Sequence, residues 1–138
     1  MNKEKRMINT EYYHYNNVNP MGKYGQDCVI RAVALMTDTS WNNTVRQMTE
    51  FGIMKGFVLN DDHVYPKYLE KNGFVERAEP RDIYNKKISV KDFIKLHPHI
   101  NCVANVGSHH VTAIKDGVVN DIWNCSNTVM HKYWEKVS

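Results

Sequence analysis

Near Pro98 the hydrophobic pattern changes its period, and that change limits the folds open to this chain of 138 residues. Before it, apolar residues recur at helical spacing. After it, they alternate or are β-branched, and Asp116-Gly117 marks a two-residue hairpin turn. Helices first and an antiparallel sheet afterwards make an α+β fold by segregation of elements. The chain length suits one domain, 1–138. Within it we expect an arm and loop at 1–23, a helical part at 24–98 and the sheet at 99–138.

The helical part divides at its caps and glycines. A first helix is expected at about 27–36, with Val29, Ile30, Val33 and Ala34 facing the core and Asp27 placed to cap it. Ser40 caps a second at about 41–50, whose buried stripe is Trp41, Val45 and Met48. A third runs over 63–71 and stops at Asn72-Gly73. Ser89 caps a fourth over 90–96, closed by Pro98. Residues 77–87 contain Pro80 and read as a connector. Expected strands cover 101–106, 110–115, 118–123 and 128–134. The aromatic run 11–15 reads as a short edge strand, the loop 16–25 is rich in Asn, Gly and Pro, and 1–9 reads as a frayed start.

Cys28 is the residue whose position is most chemical. It opens a helix, where unpaired N–H groups and the helix dipole favour thiolate, the form that attacks carbonyls. The plain alternative is a small buried hydrophobe. Asp27, directly before it, works against thiolate formation if its carboxylate is close. A base is available in His109-His110, at the start of the strand 110–115. Neighbours on a strand face opposite sides, so at most one of the two shares a cleft with the thiol. Asp121 lies across the Asp116-Gly117 hairpin at nearly the same distance from the turn as His110. Antiparallel pairing therefore brings the two side chains together, and a carboxylate there fixes the imidazole tautomer. Trp123, two residues on, either shields that contact from water or simply packs in the core.

The order of these residues resembles the papain-like cysteine peptidases. Cysteine opens a helix, histidine lies on a strand, and Asp-x-Trp lies on the next strand. The likeness is closer to a set of small papain-like proteins encoded by bacteriophages and prophages of Gram-positive bacteria. The segments that carry it are Asp27-Cys28-Val29-Ile30-Arg31-Ala32, Thr39-Ser40-Trp41, the stretch 66–74, the stretch 110–117, Asp121-Ile122-Trp123-Asn124-Cys125-Ser126 and Tyr133-Trp134. They span 24–134. The resemblance implies a papain-like α+β fold with the site between the first helix and the sheet. It matches Cys28 to the nucleophile, His110 rather than His109 to the base, Asp121 to the orienting group and Trp123 to the following Trp. It also implies a protein or peptide substrate, a host bacterial protein among the candidates, and a place in the cytoplasm of the bacterial cell. One departure concerns the oxyanion. The family's glutamine position falls on Gly22, and the nearest amide is Gln26, with Asn19 as the second candidate. The rival reading is an interaction or inhibitor protein that keeps the scaffold with little or no catalysis.

Other classes fit less well. A net charge of +3 with scattered Lys and Arg does not argue for nucleic acid, although Tyr12, Tyr13, Tyr15 and Tyr24 beside Lys3, Lys5, Arg6 and Lys23 are the residues such binding would use. His97, His99, His109, His110, Asp61, Asp62 and His63 lack a metal-binding frame such as a Cys pair or His-Glu-x-x-His. The thiol chemistry needs no cofactor and no metal. Three cysteines, Cys28, Cys102 and Cys125, are too few and odd in number for a disulfide framework, and no leader or membrane-spanning segment is evident. A reducing cytoplasm is the expected compartment.

Overall fold

The Asp116-Gly117 turn is the hinge of the sheet. In the computed structural model, which describes residues 3–137, both turn residues have positive φ, 47° and 74°. That is the backbone a two-residue hairpin requires. Only glycine fits the second place, because a Cβ there would stand 2.0 Å from the Pro98 carbonyl oxygen. The turn joins β4 (His110–Lys115) to β5 (Val118–Asp121), with Lys115 opposite Val118 and Ile114 opposite Val119.

From this hairpin the sheet grows both ways. β3 (Cys102–Val106) lies antiparallel to β4, β6 (Met130–Lys136) antiparallel to β3, and β2 (Phe74–Arg77) antiparallel to β6 at the far edge. β1 (Tyr13–Tyr15) closes the other edge, parallel to β5. The six-stranded order is β1-β5-β4-β3-β6-β2.

Helices cover both faces, and period-two alternation sorts the strand residues between them. Besides α1 (Lys3–Arg6), the helices are α2 (Cys28–Met36), α3 (Trp41–Lys55), α4 (Val64–Lys71) and α5 (Val90–Leu96). One core joins Val33, Met48, Leu69 and their neighbours on α2, α3 and α4 to Val103, Val111, Ala113 and Trp134 of the sheet. The second joins Val90, Phe93 and Ile94 of α5 to Cys102, Ala104, Val106, Ile114 and Met130. Each large apolar side chain buried this way contributes roughly 1.5–3 kcal/mol of transfer free energy. Ser40 and Ser89 cap α3 and α5 through their hydroxyls, which accept from the N–H groups of Asn43 and Asp92 at 3.1 Å. Among the described residues no helix is long and apolar enough to cross a membrane.

The α+β class expected from sequence is present, with several corrections. The sheet is mixed, not purely antiparallel, and two of its strands come from outside 99–138. β1 comes from the arm, where a short edge strand was expected. β2 comes from the part expected to be helical. It buries Phe74 and exposes its other three residues, so it shows no alternation to read. α3 runs on to Lys55 and ends at Gly56 in the left-handed region, φ 82°. Its expected stripe is only partly buried: Met48 is sealed, while Trp41 and Val45 are half-buried. β5 ends at Asp121 because the Ile122 N–H turns back to the Asp121 Oδ1 at 2.7 Å. β6 starts at Met130, since Thr128 is held in a turn by the Cys125 carbonyl. In the stretch expected to fray, α1 is a short helical turn, and Met1 and Asn2 lie outside the described residues.

Candidate active site

Two strand positions and one helix terminus make the site. Continued by one step, the β4–β5 register sets Asp121 opposite Thr112, and His110 is then its diagonal neighbour on the same face. Both reach it. His110 Nε2 lies 2.6 Å from Asp121 Oδ2, and the Thr112 hydroxyl donates to the same oxygen at 2.6 Å. Asp121 Oδ1 takes the Ile122 N–H and, at 3.4 Å, the Nη2 of Arg31. The carboxylate is buried, so this set of donors replaces the water it has lost.

Nε2 is held by Asp121, and Cys28 shares the cleft with His110, close enough for the imidazole and the Val111 N–H to lower its thiol pKa by hydrogen bonding. α2 packs on β4 and brings its first residue to this point. Burial pushes the Cys28 thiol up, but those two hydrogen bonds and the positive charges of His110 and Arg31 bring it below its ordinary value. Burial works against a charged His110 as well. Its hydrogen bonds to Asp121 and Cys28, and their negative charges, nonetheless raise it from 6.5 to about 9. Both shifts favour thiolate and imidazolium at neutral pH.

Asp27 does not act on the thiol as its place in the sequence suggests. Its side chain makes no cap hydrogen bond. The carboxylate accepts from Arg31 Nη1, from Trp41 Nε1 at 2.9 Å and from Asn19 Nδ2 at 3.1 Å. Those donors outweigh its burial and hold it below its ordinary value. Asn19, the second oxyanion candidate, gives one N–H to Asp27 and is not among the residues lining the cleft that holds Cys28. Gln26 is exposed on the wall of the cleft, a cavity of about 430 Å³ that also holds Cys28, Arg31, His109, His110 and Trp123. Its carboxamide makes no hydrogen bond to any described residue. Both histidines line this cleft, contrary to the expectation that one strand face excludes the other, because His109 belongs to the turn before β4. Trp123 lies beyond the end of β5, not on it, and its ring packs 4.9 Å from the His110 ring.

Four residues near the site were not assigned from sequence. Arg31, Trp41 and Thr112 hold the two acids, and Cys125 stands with its sulphur 3.9 Å from Asp121 Oδ2. The i, i+4 spacing of Asp27 and Arg31 was the one local signal available.

Among the described residues the one set of three potential ligands close enough to share an ion is His110, Asp121 and Cys125; of the histidines and acids considered from sequence, His110 alone belongs to it. His110 Nε2 and the Thr112 hydroxyl already occupy Asp121 Oδ2, so this set fits a hydrogen-bonded network better than a metal. The aromatic set considered for nucleic acid is partly engaged within the fold. Tyr13 is fully buried, and Tyr24 is occupied by the Tyr15 hydroxyl and by Arg6 stacked over its ring. Compared with family models, with curated proteins and with solved structures, the chain finds no match.

Proposed function

We propose that the protein is a thiol-dependent acyl hydrolase, a cysteine peptidase or isopeptidase built on a papain-like scaffold. The observation that carries the reading is His110, held by Asp121 at 2.6 Å, in the same cleft as a thiol at a helix N-terminus whose pKa lies below its ordinary value. Such an arrangement performs nucleophilic catalysis without a cofactor.

In this mechanism the Cys28 thiolate attacks the substrate carbonyl carbon, and the carbonyl π pair moves to oxygen. The Cys28 backbone N–H, which has no partner within its helix, and the Gln26 carboxamide stabilise that oxyanion. Collapse breaks the bond to the leaving group, which takes the proton of the His110 imidazolium and departs, leaving a thioester. Water then attacks the thioester and gives a proton to His110. The acid leaves and Cys28 is free again. Asp121 holds the imidazole in the tautomer that directs its other nitrogen at sulphur.

The test is alkylation with iodoacetamide across pH 5–8, mapped by mass. Rapid labelling of Cys28 below pH 7, lost in His110→Ala, supports the reading. Labelling no faster than an ordinary thiol overturns it.

A second reading is an interaction protein that binds a host bacterial protein. One observation favours it: no hydrogen bond to a described residue holds the Gln26 carboxamide in place. A partner captured equally by the wild type and by Cys28→Ala, with no thioester formed, would favour this reading.

A further inference from the structure

Among the described residues Arg31 is the one cation that the fold buries, with 4% of its surface exposed. It interrupts the apolar run of α2. Burying a guanidinium is costly unless anions satisfy it. Arg31 has two, and they are the two acids that bracket the reactive pair. Nη1 pairs with Asp27, the residue before Cys28, and Nη2 lies 3.4 Å from Oδ1 of Asp121, the residue behind His110. Its Nε has no hydrogen-bond partner, so the two carboxylates hold it alone. It also lines the cleft beside Cys28 and His110.

The consequence is electrostatic. With Cys28 as thiolate and His110 as imidazolium, Asp27, Arg31 and Asp121 add one positive and two negative charges around them. Removing Arg31 leaves Asp27, adjacent in sequence to the nucleophile, with no opposing charge, and leaves Asp121 with His110 alone, in a poorly hydrated place. Both then disfavour a negative sulphur.

We propose that Arg31 is a positioning residue for the Cys28–His110 pair. By bridging Asp27 and Asp121 it cancels the field of the acid beside the nucleophile and fixes Asp121 behind the base. This role rests on the reading of Cys28 as nucleophile. The titratable groups around it and the pair are Asp27 directly before α2, His109 and His110 at the head of β4, and Asp121 and Cys125 at and after the end of β5, with Tyr65 of α4 close enough to Cys28 to feel the thiol's charge. Of these, Asp27 and Asp121 are the acids in direct contact with Arg31.

The experiment is the pH profile of Cys28 alkylation in the full chain, compared for the wild type, Arg31→Met, Arg31→Lys and Asp27→Asn/Arg31→Met. Circular dichroism serves as the check on folding. In Arg31→Met the midpoint moves up by about one unit, so labelling at pH 6 falls about tenfold. The double variant recovers most of that loss, because the charge that Arg31 cancels leaves with it. Arg31→Lys falls between, since one ammonium cannot serve two carboxylates as a guanidinium fork does. A purely structural role would not be rescued by deleting a second charge. If Arg31→Met does not fold, the double variant and Arg31→Lys carry the test, because removing a buried pair together leaves no lone charge behind. A folded Arg31→Met with the wild-type midpoint overturns the proposal and leaves the nucleophile reading standing. So does a double variant shifted as far as His110→Ala. An ordinary midpoint in the wild type overturns both.

Discussion

Cys28 and Cys125 lie about one carboxylate, and their thiols are shifted in opposite directions. Cys125 lies 3.9 Å from Asp121, and Cys28 reaches the same acid through His110. Burial pushes both thiols up. For Cys125 the nearby Asp121 charge adds to burial, and its thiol is driven far above the ordinary range. For Cys28 an imidazole, a backbone N–H and Arg31 reverse the effect. Cys102, in the core beneath α5, is buried without any cation and goes the same way as Cys125. The difference teaches that closeness to Asp121 does not make a reactive cysteine. What matters is a positive group between the acid and the sulphur, together with a path to solvent.

The largest way to break this contrast is to remove the carboxylate. Asp121→Ala leaves His110 without its carboxylate, Arg31 with Asp27 alone and Thr112 without an acceptor. The expected loss of stability is about 3–5 kcal/mol, the range for a buried charge stripped of its partner, read by urea denaturation. A loss below 1 kcal/mol would mean that the network is not the centre of this region.

A smaller effect isolates the imidazole. In Cys28→Ala the thiol no longer titrates, and His110 keeps its hydrogen bond to Asp121. A histidine with a folded pKa above its unfolded 6.5 contributes stability that is complete below 6.5 and is lost as pH rises toward the folded value, which is about 9 with Cys28 present. The unfolding free energy of Cys28→Ala therefore declines between pH 6.5 and 9, by about 1.4 kcal/mol for each unit of the remaining shift. Adding His110→Ala removes the slope. A flat profile in Cys28→Ala would contradict a charged His110 against Asp121.

The smallest effect concerns Cys125 itself. Cys125→Ala costs about 1 kcal/mol for a small buried void and leaves the pH profile of Cys28 labelling in place. In the native wild type, iodoacetamide marks Cys28 and reaches Cys125 and Cys102 only in denaturant. Native labelling of Cys125 at the rate of Cys28 would dissolve the comparison.

How much of this was legible varies by element. Caps and periodicity located α2, α4, α5 and the β4–β5 hairpin, because those signals are local. The start of α3 was marked by Ser40, but its end was not, since Gly52 and Gly56 sit only four residues apart and the helix uses only the second as its stop. β2 could not be read from a four-residue pattern with one buried side chain. The parallel pairing of β1 with β5 was out of reach, because its partner lies at the other end of the chain. At the site, nearly matching distances from Asp116-Gly117 were enough to place His110 near Asp121. The register then made them diagonal neighbours and put Thr112 directly opposite the acid.

The sequence by itself determined the α+β class, the helix that presents Cys28 and the hairpin that presents His110 and Asp121. These follow from hydrophobic period and turn chemistry, which act over a few residues. Only the tertiary structure decided the fate of Asp27 and Arg31. In sequence, Asp27 is an acid beside a thiol, and Arg31 is a flaw in an apolar helix. Once folded, Arg31 is enclosed between Asp27 and Asp121, and Trp41 and Asn19 complete the first of these acids. The reason is electrostatic: the sign of a neighbour's influence depends on which charges share its burial, and that is fixed only when distant segments meet.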